Sequence, residues 1–507
     1  MPDLLLAVDL GTESVRACLI SADGEIRRSA RRSFTLATPR PGWAEQDPEG
    51  WWEAAAGAIR EVIAAAGGAR DVRAVGVCGQ MHGPVPITRG GTLLPGPVQL
   101  WCDKRAADLV SAAAARDDLE RCTVTAGNPP TPAWMGFKIQ WEKRHRPDRY
   151  ARVWKYLPPK DYVNFRLTGE PATDYSEASG SFLMDARRLA WSDLLVEALE
   201  VDRAVLPDIR PAGAVVGTVS ADAAAQTGLL AGTPVVTGGG DMLCLLLGAG
   251  ITAEGRACDT TGTASVLSVY APAPVRDPRV MNLHHVVSGW IAFGICDSGG
   301  GALKWWKDLL HADRPVPPDV YAALDRAAAA APAGADGLLF FPYLLGERTL
   351  GSAHARGVLF GLTPRHGQGA VARAIMEGVT LELRRALEVI TNAGLAVREM
   401  RTIGGGARSP LWSTIKAGVY RLPVRTFAVF EGGVLGAAIL AAVGIGLYPD
   451  GAAAADRLAR LAETYEPDVP SVGRYDALYQ VFRRVHDLLQ PAFDVLATAA
   501  RQPEGAG

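Results

Sequence analysis

Two short segments, 250 residues apart, are built alike. Asp9-Leu-Gly-Thr-Glu-Ser14 joins the apolar strand-like run LLLAVDL to the alternating run VRACLIS. Asp259-Thr-Thr-Gly-Thr-Ala-Ser265 sits between two further strand-like runs. Each puts an aspartate, then Gly-Thr, then a serine into a strand–turn–strand. One such turn would be an ordinary hairpin. A pair, each near the start of a half, predicts an internal duplication whose loops face one cleft. Gly-Thr turns offer successive backbone N–H groups and a hydroxyl, a nest suited to phosphate. Gly11 and Gly262 are then the close-approach positions, and Thr12 and Thr263 supply the hydroxyls. IGGGARSPLW, residues 403–412, is a third glycine turn, leading from a strand into a helix.

The rest of the chain alternates strand-like and helix-like segments, the pattern of an α/β protein. With 507 residues it exceeds one ordinary core, so two large domains are expected. The boundary is placed at Gly248–Thr252, giving residues 1–248 and 249–507. A helix is expected after Asp47, with that residue as N-cap and Pro48 at the first helical position. EGGVLGAAILAAVGIG reads as a tightly packing helix of small residues, and the stretch 452–496 as helical. The tail RQPEGAG is expected to fray.

Charge excludes several partners. There are 52 basic and 54 acidic residues, a net charge of −2, with no electrostatic reason for nucleic acid or a membrane surface. The N-terminus MPDLLLAVDLG has no basic region ahead of its apolar run, unlike a signal peptide. No apolar run approaches the roughly 20 residues of a membrane span. Seven scattered cysteines, never spaced as CxxC, suit a reducing cytoplasm and argue against a disulfide framework or structural zinc.

VVTGGGDMLC, residues 235–244, places one carboxylate, Asp241, behind three glycines. Glycine lets another molecule approach the backbone, so Asp241 is a candidate to meet a ligand. CGQMHGP, residues 78–84, puts Gln80 and His82 between glycines at the end of a strand, where ligands bind in open α/β sheets. VQLWCDKR and LPPKDY add Trp101, Asp103, Lys160 and Asp161. Other signatures fail. No Gly-Lys dipeptide exists, so there is no Walker-type loop. GAGITA at 248–253 lacks the acid a dinucleotide fold needs. The pair at 284–285, two histidines, has no metal spacing and reads as structural.

DLGT, GWAEQDPEGWW, GQMHGP, LPPKDY, GGGD, TTGTAS, FPYLLGERT, GVLFGLT and IGGGARS occur in an order that resembles the FGGY carbohydrate kinases, over residues 4 to about 490. GQMHG and LPPKDY point to the xylulokinase-like branch. The resemblance implies two ribonuclease-H-like (actin-like ATPase) domains flanking a deep cleft, with sugar on the first and ATP on the second. It implies ATP-dependent phosphorylation of a sugar hydroxyl, D-xylulose first, with another ketose or polyol as the alternative. Asp241 is then the catalytic base, and Asp9 the Mg²⁺ site, through water. Gln80, Met81, His82, Trp101, Asp103 and Met242 hold the sugar. Gly11, Thr12, Thr261, Gly262 and Thr263 hold phosphates, and Gly404, Gly405 and Arg408 border the adenosine. A homodimer and a cytoplasmic location are family expectations. A non-catalytic sugar or nucleotide sensor, or a chaperone or filament ATPase, is disfavoured by Asp9, both turns, Asp241 and GQMHG together.

Two residues depart from the branch pattern. Asparagine usually follows the base, where this chain has Met242, and Trp-Asn-Asp is usual where this chain has Trp101-Cys102-Asp103. Sulfur side chains barely hydrogen-bond. Either the substrate differs from D-xylulose near Met242, or neighbouring residues supply the missing contacts.

Overall fold

The computed structural model describes residues 3–313, 315–347, 351, 354–428 and 431–499. Arg348 and Thr349 of the FPYLLGERT motif, and the tail RQPEGAG, lie outside the described residues.

The chain opens as an antiparallel meander, β1 (Leu4–Leu10), β2 (Ser14–Ser21) and β3 (Ile26–Ser33). β1 is apolar at every position but Asp9 because both of its faces are covered, as in parallel sheets packed on two sides. β3 carries four arginines and ends the sheet, charge that protects an open edge from further pairing. Helix α1 (Pro48–Ala65) follows; Asp47 accepts the Glu49 N–H at 3.1 Å, the expected N-cap. It leads into β4 (Val72–Gly79), which pairs parallel with β1. β5 (Val215–Thr218) and β6 (Pro234–Val236) complete the sheet in the order β5-β6-β4-β1-β2-β3. The next helix, α2 (Asp241–Gly248), starts at the aspartate singled out above.

A second sheet repeats the plan with β7 (Gly255–Thr261), β8 (Ser265–Ala271), β9 (Met281–His284), β10 (Trp290–Cys296), β11 (Val397–Ile403), β12 (Val424–Phe427) and β13 (Leu461–Tyr465). Its order is β9-β10-β8-β7-β11-β12-β13. β7 pairs antiparallel with β8 and parallel with β11, as β1 does with β2 and β4. The duplication expected from two turns is therefore a duplication of whole sheets.

Helices α3 (Gly299–Leu310), α4 (Gln368–Asn392), α5 (Pro410–Tyr420), α6 (Gly432–Gly444) and α7 (Val469–Ala499) fill the layers. α1 covers the outer face of the first sheet, with Trp51, Trp52 and Ile59 buried against it. α4, α5 and α7 cover the outer face of the second. α2 and α6 lie between the sheets: Leu243, Leu247, Val434 and Leu440 share one apolar core with Ala7 and Ala74 of the first sheet and Cys258 and Ile403 of the second. The small residues of α6 serve this close contact, since a Cβ on Gly436 would collide with the Cys244 carbonyl. A division at residue 248 thus separates the sheets, but α6, late in sequence, packs on the first one. Among the described residues no helix is long and apolar enough to cross a membrane.

Candidate active site

The carboxyl ends of β1, β4 and the short strand Gly239–Gly240 stand abreast, with Asp9, Cys78 and Gly239 in register. Asp241 follows at the first position of α2. Its Oδ1 accepts the Met242 N–H at 2.7 Å, which leaves Oδ2 for another partner. Burial pushes its pKa up to about 7, and the charge of Asp9 adds to the shift. Burial also raises Asp9; the Cys78 thiol and Arg16 oppose the rise. Arg16 itself is engaged by Glu431. Two repelling carboxylates with little free positive charge nearby are unstable without a ligand, the environment of a functional acid pair.

The three glycines before Asp241 have a different reason from the one expected. Gly238 has φ +72°, and a Cβ there would strike the Val77 carbonyl. A Cβ on Gly239 would strike Val286, and one on Gly240 would lie 2.5 Å from Met81 Sδ. The bare ribbon makes room for the protein itself. Its effect on the site is indirect, because it lets Met81 press against the backbone immediately before Asp241.

His82 adopts φ +70°, a costly conformation for a non-glycine residue that clusters at functional sites. Its ring meets Trp134 edge-on at 5.1 Å. Its N–H points to Glu177 Oε2 at 3.4 Å, and its carbonyl accepts from Lys138 Nζ at 3.2 Å. Burial holds the imidazole well below its ordinary pKa, with Lys138 reinforcing this, so the ring is neutral. Burial raises Glu177 well above the carboxylate range, and Lys160 only partly offsets it. Lys138 is pushed down to about 7 by burial. Gln80 donates to Gln46 Oε1 at 3.0 Å. Three buried polar atoms here have no hydrogen-bond partner: Gln80 Oε1, His82 Nδ1 and Glu177 Oε1. An unsatisfied buried group costs roughly 1–3 kcal/mol, so these atoms call for a partner, either water or a ligand.

The other expected sugar contacts, Trp101 and Asp103, have protein partners of their own. Trp101, 38% exposed, donates its Nε1 to Thr12 Oγ1 at 3.1 Å and so braces the first Gly-Thr turn. Asp103 has both oxygens occupied. It accepts the Ala44 N–H at 2.7 Å and two side-chain N–H groups of Arg105 at 2.9 and 2.6 Å. Arg105 in turn pairs with Glu45 and lies over the Trp43 ring at 3.6 Å. Asp103 is thus committed to building a wall. Cys102 packs on the outer core of the first lobe, and Met242 on the core between the sheets. Glu177, Lys138 and Trp134 were not singled out from sequence; the acid in the buried segment YSEAS was the available signal for Glu177.

A separate cavity of about 750 Å³ lies in the second lobe. Thr261, Gly262, Thr263, Gly405 and Arg408 line it, with Gly300, Tyr321, Asp325 and Trp412. The β7–β8 turn sits on the start of α3: Gly300 N–H donates to Gly262 O at 2.8 Å and Gly301 N–H to Thr263 O at 2.9 Å. Gly404 stands behind this wall with φ +86°. Gly11 and Thr12 belong to the first lobe and do not line it. The segment Asp297–Gly301, three glycines after β10, was the sequence signal that went unread.

Two equivalent sheets around a pair of central helices, each carrying glycine loops at the carboxyl ends of its parallel strands, define an actin-like phosphotransferase architecture. The N-terminal domain of the FGGY family of carbohydrate kinases matches residues 4–248, and the C-terminal domain of that family matches residues 259–445. The chain belongs to the FGGY family of carbohydrate kinases, enzymes that phosphorylate a sugar at the expense of ATP. It is 32% identical to the xylulose kinase of Escherichia coli (strain K12), over 96% of this chain and 99% of that protein. It is 30% identical to the autoinducer-2 kinase of Yersinia enterocolitica, over 94% and 92%. The crystal structure of xylulose kinase from Rhodospirillum rubrum superimposes with a TM-score of 0.90 at 32% identity, covering 97% of this chain and all of that one.

Proposed function

We propose that the chain transfers the γ-phosphoryl group of ATP to a hydroxyl of D-xylulose, giving D-xylulose 5-phosphate, with Asp241 as general base. The supporting observation is the raised carboxyl of Asp241, set at the start of α2 beside Asp9 and beside the unpartnered atoms of Gln80, His82 and Glu177. A pKa near 7 suits a base at neutral pH. The sugar oxygen attacks phosphorus in line, Asp241 Oδ2 takes its proton as the new P–O bond forms, and ADP leaves. The lobe 1–248 holds the sugar; the lobe 249–507 holds ATP in the 750 Å³ cavity, with phosphates on the turns at 11–12 and 261–263.

Asp9 and Asp241 also fit a hydrated divalent cation. Mg²⁺ takes one or two carboxylates plus phosphate oxygens and water, and among the described residues no cluster of three or more acidic, histidine or cysteine ligands competes. Mg²⁺ there would neutralise charge on the phosphates.

Cys102 and Met242 are half-buried and pack in part on the apolar cores, and in this reading Gln80 Oε1, His82 Nδ1 and Glu177 Oε1 supply the contacts of the missing amides. This supports D-xylulose over a deoxy or shorter ketose. A coupled ADP-release assay across D-xylulose, D-ribulose, deoxy-ketoses and tetritols tests it. D-xylulose should give the highest kcat/KM; a deoxy-ketose or tetritol ahead of it would overturn the substrate, and no sugar-dependent ADP would overturn the reaction.

A further inference from the structure

Beneath the cavity of the second lobe lies a buried charged cluster to which neither the family match nor the sequence reading gives a role. Lys416 of α5 and Asp259 of β7 have side chains 1% and 0% exposed, and pair at 3.0 Å. Lys416 Nζ also donates to Thr261 Oγ1 and Thr402 Oγ1, each at 2.8 Å. Thr261 Oγ1 donates to Asp259 Oδ1 at 2.6 Å, and Tyr420 OH donates to Asp259 Oδ2 at 2.6 Å. The lysine has three protons and three acceptors, so its donor capacity is used in full.

The acceptors lie on different elements. Thr261 ends β7 and opens the turn at Gly262-Thr263. Thr402 lies on β11, two residues before Gly404 and the loop that lines the same cavity. α5, which carries Lys416, contributes Pro410 and Trp412 to the cavity wall. The loops also meet directly. A Cβ on Gly404 would lie 2.5 Å from the Thr261 carbonyl, and one on Gly406 2.5 Å from Thr261 Cγ2. Thr261 is therefore the shared floor of both loops, and Lys416 holds its hydroxyl from below.

We propose that Lys416, with Asp259, is the positioning residue that holds the two nucleotide loops of this kinase in register, so that the backbone groups at 262–263 and at 405–408 meet one ATP together. The proposal rests on reading the 750 Å³ cavity as the nucleotide site. Lys416 does not touch the cavity and acts only through Thr261, Thr402 and its own helix. A cation there is otherwise hard to account for, because an ion pair this deep contributes little to stability compared with well-packed apolar residues. Its use is geometric, since each donor direction fixes one strand end.

Separate Michaelis constants for ATP and for the sugar test this. Lys416→Met should raise KM for ATP about tenfold or more, the loss of one to two net hydrogen bonds, with KM for the sugar within about twofold. Thr402→Val removes one acceptor at nearly constant volume and should raise KM for ATP about threefold. Gly405→Trp is the control for the cavity itself: Gly405 lines it and open space surrounds the position of its Cβ, so an indole there takes up cavity volume; its Tm is measured alongside. If Gly405→Trp raises KM for ATP and the other two variants do not, the positioning role is wrong and the nucleotide site stands. If Gly405→Trp also leaves KM for ATP unchanged, the nucleotide reading falls first. Equal rises in both Michaelis constants, together with a lower Tm, would reduce the cluster to a stabilising one and overturn the proposal. Should Lys416→Met not accumulate as folded protein, Thr402→Val decides alone.

Discussion

The two Gly-Thr turns share pairing partners and sheet position, yet their aspartates do opposite things. Asp9 faces the layer between the sheets, against Gly433 and beside Asp241. Asp259 faces the outer core and is consumed by Lys416, Thr261 and Tyr420. The cause is one residue. Two positions separate Asp9 from Gly11, and three separate Asp259 from Gly262. Side chains alternate along a strand, so the extra residue carries the second carboxylate through the sheet. Burial confirms the parity: Ala7 on β1 and Cys258 on β7 share the central core, whereas Ala257 belongs to the outer one. Thr260 therefore occupies the place equivalent to Asp9. Duplication supplied the scaffold, and register decided which face of the sheet each carboxylate meets.

Substitutions can break or sharpen this contrast. The largest effect is expected at Asp241. Asp241→Asn should lower kcat by roughly 10²–10⁴-fold in the ADP assay. Asp9→Asn should follow, with kcat down by about 10²-fold and a weaker response to added Mg²⁺. Neither should destabilise the fold, because each removes a charge that burial disfavours. Asp259→Ala should do the reverse and lower unfolding free energy by about 3–5 kcal/mol in denaturant, since it strands the ammonium of Lys416. A stable Asp259→Ala variant with poor turnover at saturating ATP, or a markedly destabilised Asp9→Asn variant with normal turnover, would collapse the distinction.

The pH dependence gives a smaller, two-sided check. A base with its pKa at about 7 should lose kcat/KM about tenfold per unit as pH falls below that value. For stability the sign is opposite. The folded state holds a proton on Asp241 up to about 7, whereas the unfolded chain releases it at its ordinary value of 3.8. Stability from this group therefore falls as pH rises between those values and is level above them. Asp241→Asn should accordingly raise Tm at pH 8 by about 2 °C or more, and by less at pH 5, in thermal melts. The smallest effect is expected from Trp101→Phe, which frees Thr12 and should cost about two- to fivefold in KM for ATP.

The sheets, the capped helix after Asp47 and the glycine loops, with Asp241 at the end of one of them, were legible because each rests on local chemistry: alternation, an N-cap, a turn that needs glycine. Contacts between distant segments were not. Nothing near Asp103 announces that Ala44 occupies one of its oxygens, and nothing near Trp101 announces Thr12. The three glycines before Asp241 pointed to a site, but Val77, Val286 and Met81 are what they accommodate. The two aspartates looked alike because a motif read as letters ignores strand parity. Lys416 stayed hidden because a lysine inside an amphipathic helix gives no sign of being buried.

The placement of α6 has a consequence for biogenesis. The apolar inner face of the first sheet is closed by a segment the ribosome makes only near residue 444. The early half of the nascent chain must wait, greasy side open, for a plug from the late half. The halves should thus mature as one cooperative unit, and a fragment ending at Gly248 should bind hydrophobic dyes and precipitate where the whole chain stays clear.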